Sequence, residues 1–114
     1  MTDCIFSGSE DSDFLSISST VTFAELLVHP YEQEPAKAND LFLLLSTFPN
    51  LEWISPTLEI AARAAKIRAD HRLRTPDALQ AATAVFANAT ALLTNDPVFK
   101  RVPDLEVLIL DDYR

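Results

Sequence analysis

The stretch Thr75 to Asp96, TPDALQAATAVFANATALLTND, prescribes a helix followed by a strand, and that pair limits the fold more than any other part of the chain. Thr75 supplies N-cap chemistry. Pro76 suits the first helical position, where its missing N–H costs nothing, and Asp77 falls in the first turn beside the positive end of the helix dipole. Ala78 to Ala89 holds no Gly or Pro, and Leu79, Ala82, Thr83 and Phe86 recur at the i, i+3, i+4, i+7 spacing of one helical face. Ala91 to Thr94 is short and apolar and reads as a buried strand, which Asn95-Asp96-Pro97 ends. In an α/β layer a helix starts at the edge where the preceding strand finished, and the next strand returns to that edge. Asp77 and Asp96 are therefore expected together at the carboxyl edge, where open α/β sheets place their ligand sites. Two carboxylates held close repel unless a proton or a cation lies between them. The plain alternative is that Asp77 only caps its helix and Asp96 only makes a turn.

Length and composition narrow the setting. The 114 residues make one domain spanning 1–114, which buries about two thirds of its unfolded surface and needs no staple. The single cysteine, Cys4, excludes an internal disulfide and fits a reducing cytoplasm. The opening MTDCIFSGSEDSDF lacks the charge and apolar run of a signal peptide, and no stretch is long enough to span a membrane. One glycine in the chain excludes a glycine-rich phosphate loop. Seventeen acids against nine bases give a formal charge of −8, which argues against non-specific nucleic-acid binding through net charge. The bases are unevenly placed, however. Arg63, Lys66, Arg68, Arg72 and Arg74 precede Asp77, and Lys100-Arg101 follow Asp96, either as a solvated face or as a rim around a site.

Taken in order, residues 1–13 read as a loop or terminus, with too few apolar residues for a strand. Phe14 to Ser18 is a short strand, and Ser18-Ser19-Thr20 begins a helix through Val21, Ala24, Leu27 and Val28 that His29-Pro30 is expected to stop. Glu25 is a charge in apolar company near the start of that helix, in reach of the carboxyl edge; the alternatives are a Thr22–Glu25 capping box or an exposed glutamate. After a loop at Tyr31 to Glu34, Pro35 opens a helix whose Leu41 to Leu45 run is apolar nearly all round, implying burial or a partner. Leu51 to Ile54 is a strand. Ser55-Pro56 is expected to open a third helix that turns Leu58, Ala61, Ala62, Ala65 and Ala69 inward. A short helical turn at 97–102 and a strand at 105–110 complete the chain. Strands separated by helices imply a mostly parallel sheet with helices on its faces. His29 and His71 have no partner at metal or triad spacing and read as boundary residues.

These segments resemble a known family. Ile17-Ser18-Ser19 with Thr22-Phe23-Ala24-Glu25-Leu26-Leu27, then LRTPDALQAATA at 73–84, then Leu93-Thr94-Asn95-Asp96 and Phe99, are similar to the PIN domain, and most of all to the VapC-type ribonuclease toxins of bacterial toxin–antitoxin pairs. The resemblance covers Phe14 to Asp112. It implies a three-layer α/β/α fold and a metal-dependent endoribonuclease that hydrolyses RNA by metal-activated water. It assigns Glu25, Asp77 and Asp96 to an acidic cluster holding Mg²⁺ or Mn²⁺, hard ions that prefer carboxylate oxygen. It also suggests Arg72, Arg74, Lys100 and Arg101 as RNA phosphate contacts, with a cognate antitoxin and a homodimer as partners.

One departure stands out. The family usually begins with a strand and helix that carry a leading aspartate, and this chain reads as N-terminally truncated, without that unit. Asp3 substitutes only if residues 2–6 form a strand. The gap in the middle of the sheet then needs a dimer partner or a rearranged sheet. The alternative function is a catalytically impaired module that binds an antitoxin or a second copy without cutting RNA.

Overall fold

The computed structural model describes residues 4–8 and 14–113. Asp3, Asp11 and Asp13 lie outside that range. Five strands form one sheet: β1 (Cys4–Gly8), β2 (Phe14–Ser19), β3 (Leu51–Ile54), β4 (Ala91–Thr94) and β5 (Val107–Ile109), in the spatial order β3-β2-β1-β4-β5. The pairs β2/β3 and β4/β5 are parallel, and β1 runs antiparallel to both of its neighbours. Four strands thus point one way and the middle one points back.

The strand at 4–8 corrects the reading of this segment as a loop. It is only five residues long, but β2 and β4 leave a row of backbone donors and acceptors facing each other across the sheet centre. Those groups need partners. The register answers that need, with Ile5 opposite Ile17 on one side and Leu92 on the other. The rearranged sheet expected as one cover for the gap is what forms.

The first helix, α1 (Thr20–Gln33), is capped by the Ser19 hydroxyl, which accepts from the Val21 N–H at 3.1 Å. Pro30 does not end it. It sits in the last turn, where its missing N–H forfeits a single helical bond, and its carbonyl accepts the Glu34 N–H at 2.7 Å. Only Glu34 separates α1 from α2 (Pro35–Thr47), so the expected loop at 31–34 shrinks to one residue. Phe23 of α1 packs edge-on against Phe42 of α2 and against Trp53 of β3, with ring centroids 5.5 and 4.8 Å apart. The Trp53 indole N–H donates to the Leu45 carbonyl at 2.9 Å.

The third helix, α3 (Leu58–His71), starts two residues later than expected, capped by Thr57, whose hydroxyl accepts from the Ile60 N–H at 3.2 Å. Its buried face is Ile60, Ala64 and Ile67, whereas Leu58 is 91% exposed and Ala61, Ala62, Ala65 and Ala69 face outward. The alanines carry too little apolar surface to decide which side turns in; the two isoleucines decide it. The fourth helix, α4 (Thr75–Phe86), begins with Thr75 inside the first turn and Arg74 at the cap position. It is buried on almost every side, from Ala78 through Ala84, by β2, β4, α1 and α3. A short 3-10 turn, Pro97–Arg101, places Phe99 in the core, and a second, Leu110–Tyr113, replaces the end of the expected last strand. His29 lies exposed on α1, and His71 ends α3.

Phe99 is fully buried against Ile60, Leu92, Val102 and the alanines of α4. Phe99→Ala is expected to lower stability by about 3–5 kcal/mol. The measurement is a urea titration, read as a drop in midpoint at constant slope. A loss below about 1 kcal/mol would show that the core is centred elsewhere.

Candidate active site

The site is built at the junction of α3 and α4. Arg72 turns the chain there in a left-handed conformation, φ 59° and ψ 38°, and donates its N–H to the Arg68 carbonyl at 2.9 Å. Leu73 is buried and pins the link, so Arg74 leaves the core in extended conformation directly before the first turn of α4. Its guanidinium folds back over that turn. Nε donates to Asp77 Oδ2 at 3.1 Å and Nη2 donates to Asp77 Oδ1 at 3.4 Å. The pair is asymmetric, since the Asp77 side chain is 9% exposed and that of Arg74 is 69% exposed. A carboxylate that has lost most of its water needs a cation or strong donors, and the helix N-terminus supplies only part of that demand.

Two more acids act on the same guanidinium. Asp96 ends the loop after β4, half-buried, with its N–H on the Thr94 hydroxyl at 3.0 Å and its Oδ1 accepting from the Val98 N–H at 3.0 Å. Glu25 lies on the exposed side of α1 near its start. The Arg74 pKa is raised above the usual arginine value, first by the hydrogen bond and charge of Asp77, against a small desolvation effect, then by the charges of Glu25 and Asp96. Asp77 is bonded to this guanidinium, and Glu25 and Asp96 contribute charge effects on it that are smaller than its desolvation.

Carboxylates are the donors that a hard divalent cation prefers. Among the described residues, no three His, Cys, Asp or Glu side chains stand close enough to hold a metal ion as they are placed. The basic rim is partly assembled. Arg101 Nη1 donates to the Arg72 carbonyl at 3.3 Å, which ties the 97–101 turn to the α3–α4 junction, and Lys100 is exposed beside it. Arg68 Nη1 donates to the Thr75 hydroxyl at 2.6 Å across the same junction.

A buried contact below the cluster was not visible in the sequence. Thr22 Oγ1 donates to Gln80 Oε1 at 2.8 Å, and both residues are buried. Thr22 is three residues before Glu25 and Gln80 three after Asp77, so this bond joins the helix faces that carry the two acids. Thr22 is not half of a capping box, because Ser19 is the cap. The only signal was a polar pair at i, i+3 from each candidate acid.

The PIN domain family matches residues 10–105, most of the chain. The chain belongs to the PIN domain family. Among solved structures, this PIN domain is similar to a toxin–antitoxin complex from Klebsiella pneumoniae, at 25% identity and a TM-score of 0.66, over 79% of this chain and 69% of that one. It is also similar in fold to VapBC2 from Rickettsia felis bound to a DNA fragment from its promoter, at 24% identity and a TM-score of 0.62, over 82% of this chain and 73% of that one. No curated protein matches it significantly. The resemblance to VapC-type PIN domains in the TPDALQAATA and LTND segments thus agrees with the fold.

Removing the Gln80 acceptor leaves the Thr22 hydroxyl buried without its partner. Gln80→Leu is expected to cost about 1–3 kcal/mol, measured by urea unfolding. Combining it with Thr22→Val should recover part of that loss, whereas strictly additive losses would mean the two side chains do not act as a pair.

Proposed function

We propose that this PIN domain is a toxin-type endoribonuclease dependent on Mg²⁺ or Mn²⁺, with Glu25, Asp77 and Asp96 as its metal-holding acids. What supports the reading is the match of the chain to the PIN domain family, together with Asp77 in the first turn of α4 and the weaker charges of Glu25 and Asp96 on the arginine that Asp77 binds. When bound, the ion supplies Lewis acidity and neutralises charge developing on a phosphodiester. The chain's own residues do the rest. Asp77, held in the first turn of α4, gives the site a fixed, poorly hydrated carboxylate. Asp96 is held by its bond from the Val98 N–H. Arg72, Lys100 and Arg101 form a basic rim that draws the RNA backbone towards an otherwise acidic surface.

The partners follow the toxin reading: an antitoxin chain, in keeping with the neighbours being toxin–antitoxin complexes, and a second copy of this chain. A second reading, a binding module without catalysis, is favoured by one feature. Phe42, Leu43 and Leu44 of α2 are 46–60% exposed, and Phe48 beyond it 52%, an apolar surface of the kind that marks interaction sites. No described helix is long and apolar enough to cross a membrane.

The two readings part in a cleavage assay. Wild-type protein should cut single-stranded RNA only with added Mg²⁺ or Mn²⁺, and Asp96→Asn or Asp77→Asn should slow cutting by at least about 100-fold. Circular dichroism would check that the variants remain folded. Clean wild-type protein that leaves RNA intact across a full divalent titration would favour the binding module.

A further inference from the structure

Among the described residues three hold a positive φ: Asn50 at 60°, Arg72 at 59° and Asn88 at 53°. Asparagine tolerates that region, and two of the three positions carry it. Arg72 breaks the pattern. At φ 59° and ψ 38° it closes α3 in the left-handed conformation, which glycine adopts freely and a residue with a Cβ adopts at a cost. The turn itself is required, because the chain must leave α3 and send Leu73 into the core. An arginine at the turn is not required. Its side chain is exposed and, among the described residues, bonds to no other group, so no bond of the fold offsets the cost of having it there.

Charge at the same junction points to a ligand. Arg101 Nη1 donates to the Arg72 carbonyl at 3.3 Å, which docks the 97–101 turn on this corner. Arg68, four residues before Arg72, donates to the Thr75 hydroxyl at 2.6 Å across it. Three exposed arginines, from the end of α3, the link and the 3-10 turn, are thus gathered at one corner of a chain whose net charge is −8. Like charges brought together repel until an anion lies among them. We propose that this corner anchors the RNA strand, with Arg72 taking one phosphodiester by its own charge and without help from a metal ion. The inference rests on RNA being the substrate, as put forward above. It adds a contact that fixes where the strand lies and takes no part in the chemistry.

The test measures RNA binding in EDTA, where metal-dependent cutting is suppressed. A fluorescently labelled single-stranded RNA is titrated across a salt series with wild type, with Arg72→Gly, and with Arg63→Gln, a control that removes equal charge further back along α3. Each protein is also unfolded in urea. Arg72→Gly keeps the carbonyl that Arg101 binds and takes up the turn freely, so it should unfold at a higher urea midpoint than wild type. Its plot of log affinity against log salt should at the same time become shallower by about 0.7, the contribution of one single-strand phosphate contact. Arg63→Gln should keep the wild-type slope. An unchanged slope in Arg72→Gly, or an equal change in Arg63→Gln, would overturn the anchor. A lower urea midpoint in Arg72→Gly would do the same, by showing that the side chain holds the fold. Wild type that binds no RNA even at low salt would also overturn it. The divalent-dependent cleavage assay decides the nuclease reading by itself, so cutting by wild type beside any of these results removes only the anchor.

Discussion

The backbone hydrogen bonds of β1 hold the two halves of the sheet together. β2 pairs with β3 and β4 with β5, but β2 and β4 meet only through Cys4–Gly8. Without that strand the described sheet would be two parallel ribbons with facing unpaired edges, an arrangement that invites pairing with other chains. The spacing it sets also governs the site. β2 runs into α1 and so places Glu25, β4 runs into the loop bearing Asp96, and α4 rests on both strands with Asp77 in its first turn. The Thr22–Gln80 bond then fixes α1 against α4 beneath the acids.

Charge shapes the same region in the opposite sense to packing. A chain of net charge −8 places seven of its nine bases on the segments that flank Asp77 and Asp96. One of those bases, Arg74, bonds to Asp77 while its side chain stays largely exposed, and Arg72, Lys100 and Arg101 are exposed as well. Positive charge is thus concentrated locally on a chain that is acidic overall.

Much of this was legible in the residues, for reasons that differ by segment. The α4–β4 unit is punctuated by Pro76 and by Asn95-Asp96-Pro97, and local chemistry of that kind survives into the fold. β1 was not legible, because its five residues become a strand only when two neighbours present unpaired edges. Pro30 misled because α1 runs on through it for three more residues, to Gln33, despite the helical bond it forfeits. The inward face of α3 was obscured by alanines spread round the helix. At the site, Asp77 and Asp96 could be placed at the start of α4 and just after β4 from the α/β order. Arg74 could not be told from a solvated base, since nothing in LRTPD says whether an arginine faces water or doubles back on the aspartate.

The reversed direction of β1 changes which side of the protein its leading end meets. In a sheet of uniformly parallel strands, every strand enters from the edge opposite the acids. Here Cys4 stands level with Leu93, two residues before Asn95, so the chain enters β1 from the acidic side. Peptide fused ahead of Cys4, such as a purification handle, would therefore be tethered near the carboxylates rather than at the far end of the molecule. A polyhistidine or acidic extension at that terminus would bring its own metal affinity to the neighbourhood of Asp96, and a handle on the opposite terminus or one removed by protease is the sounder choice for any study of ion uptake.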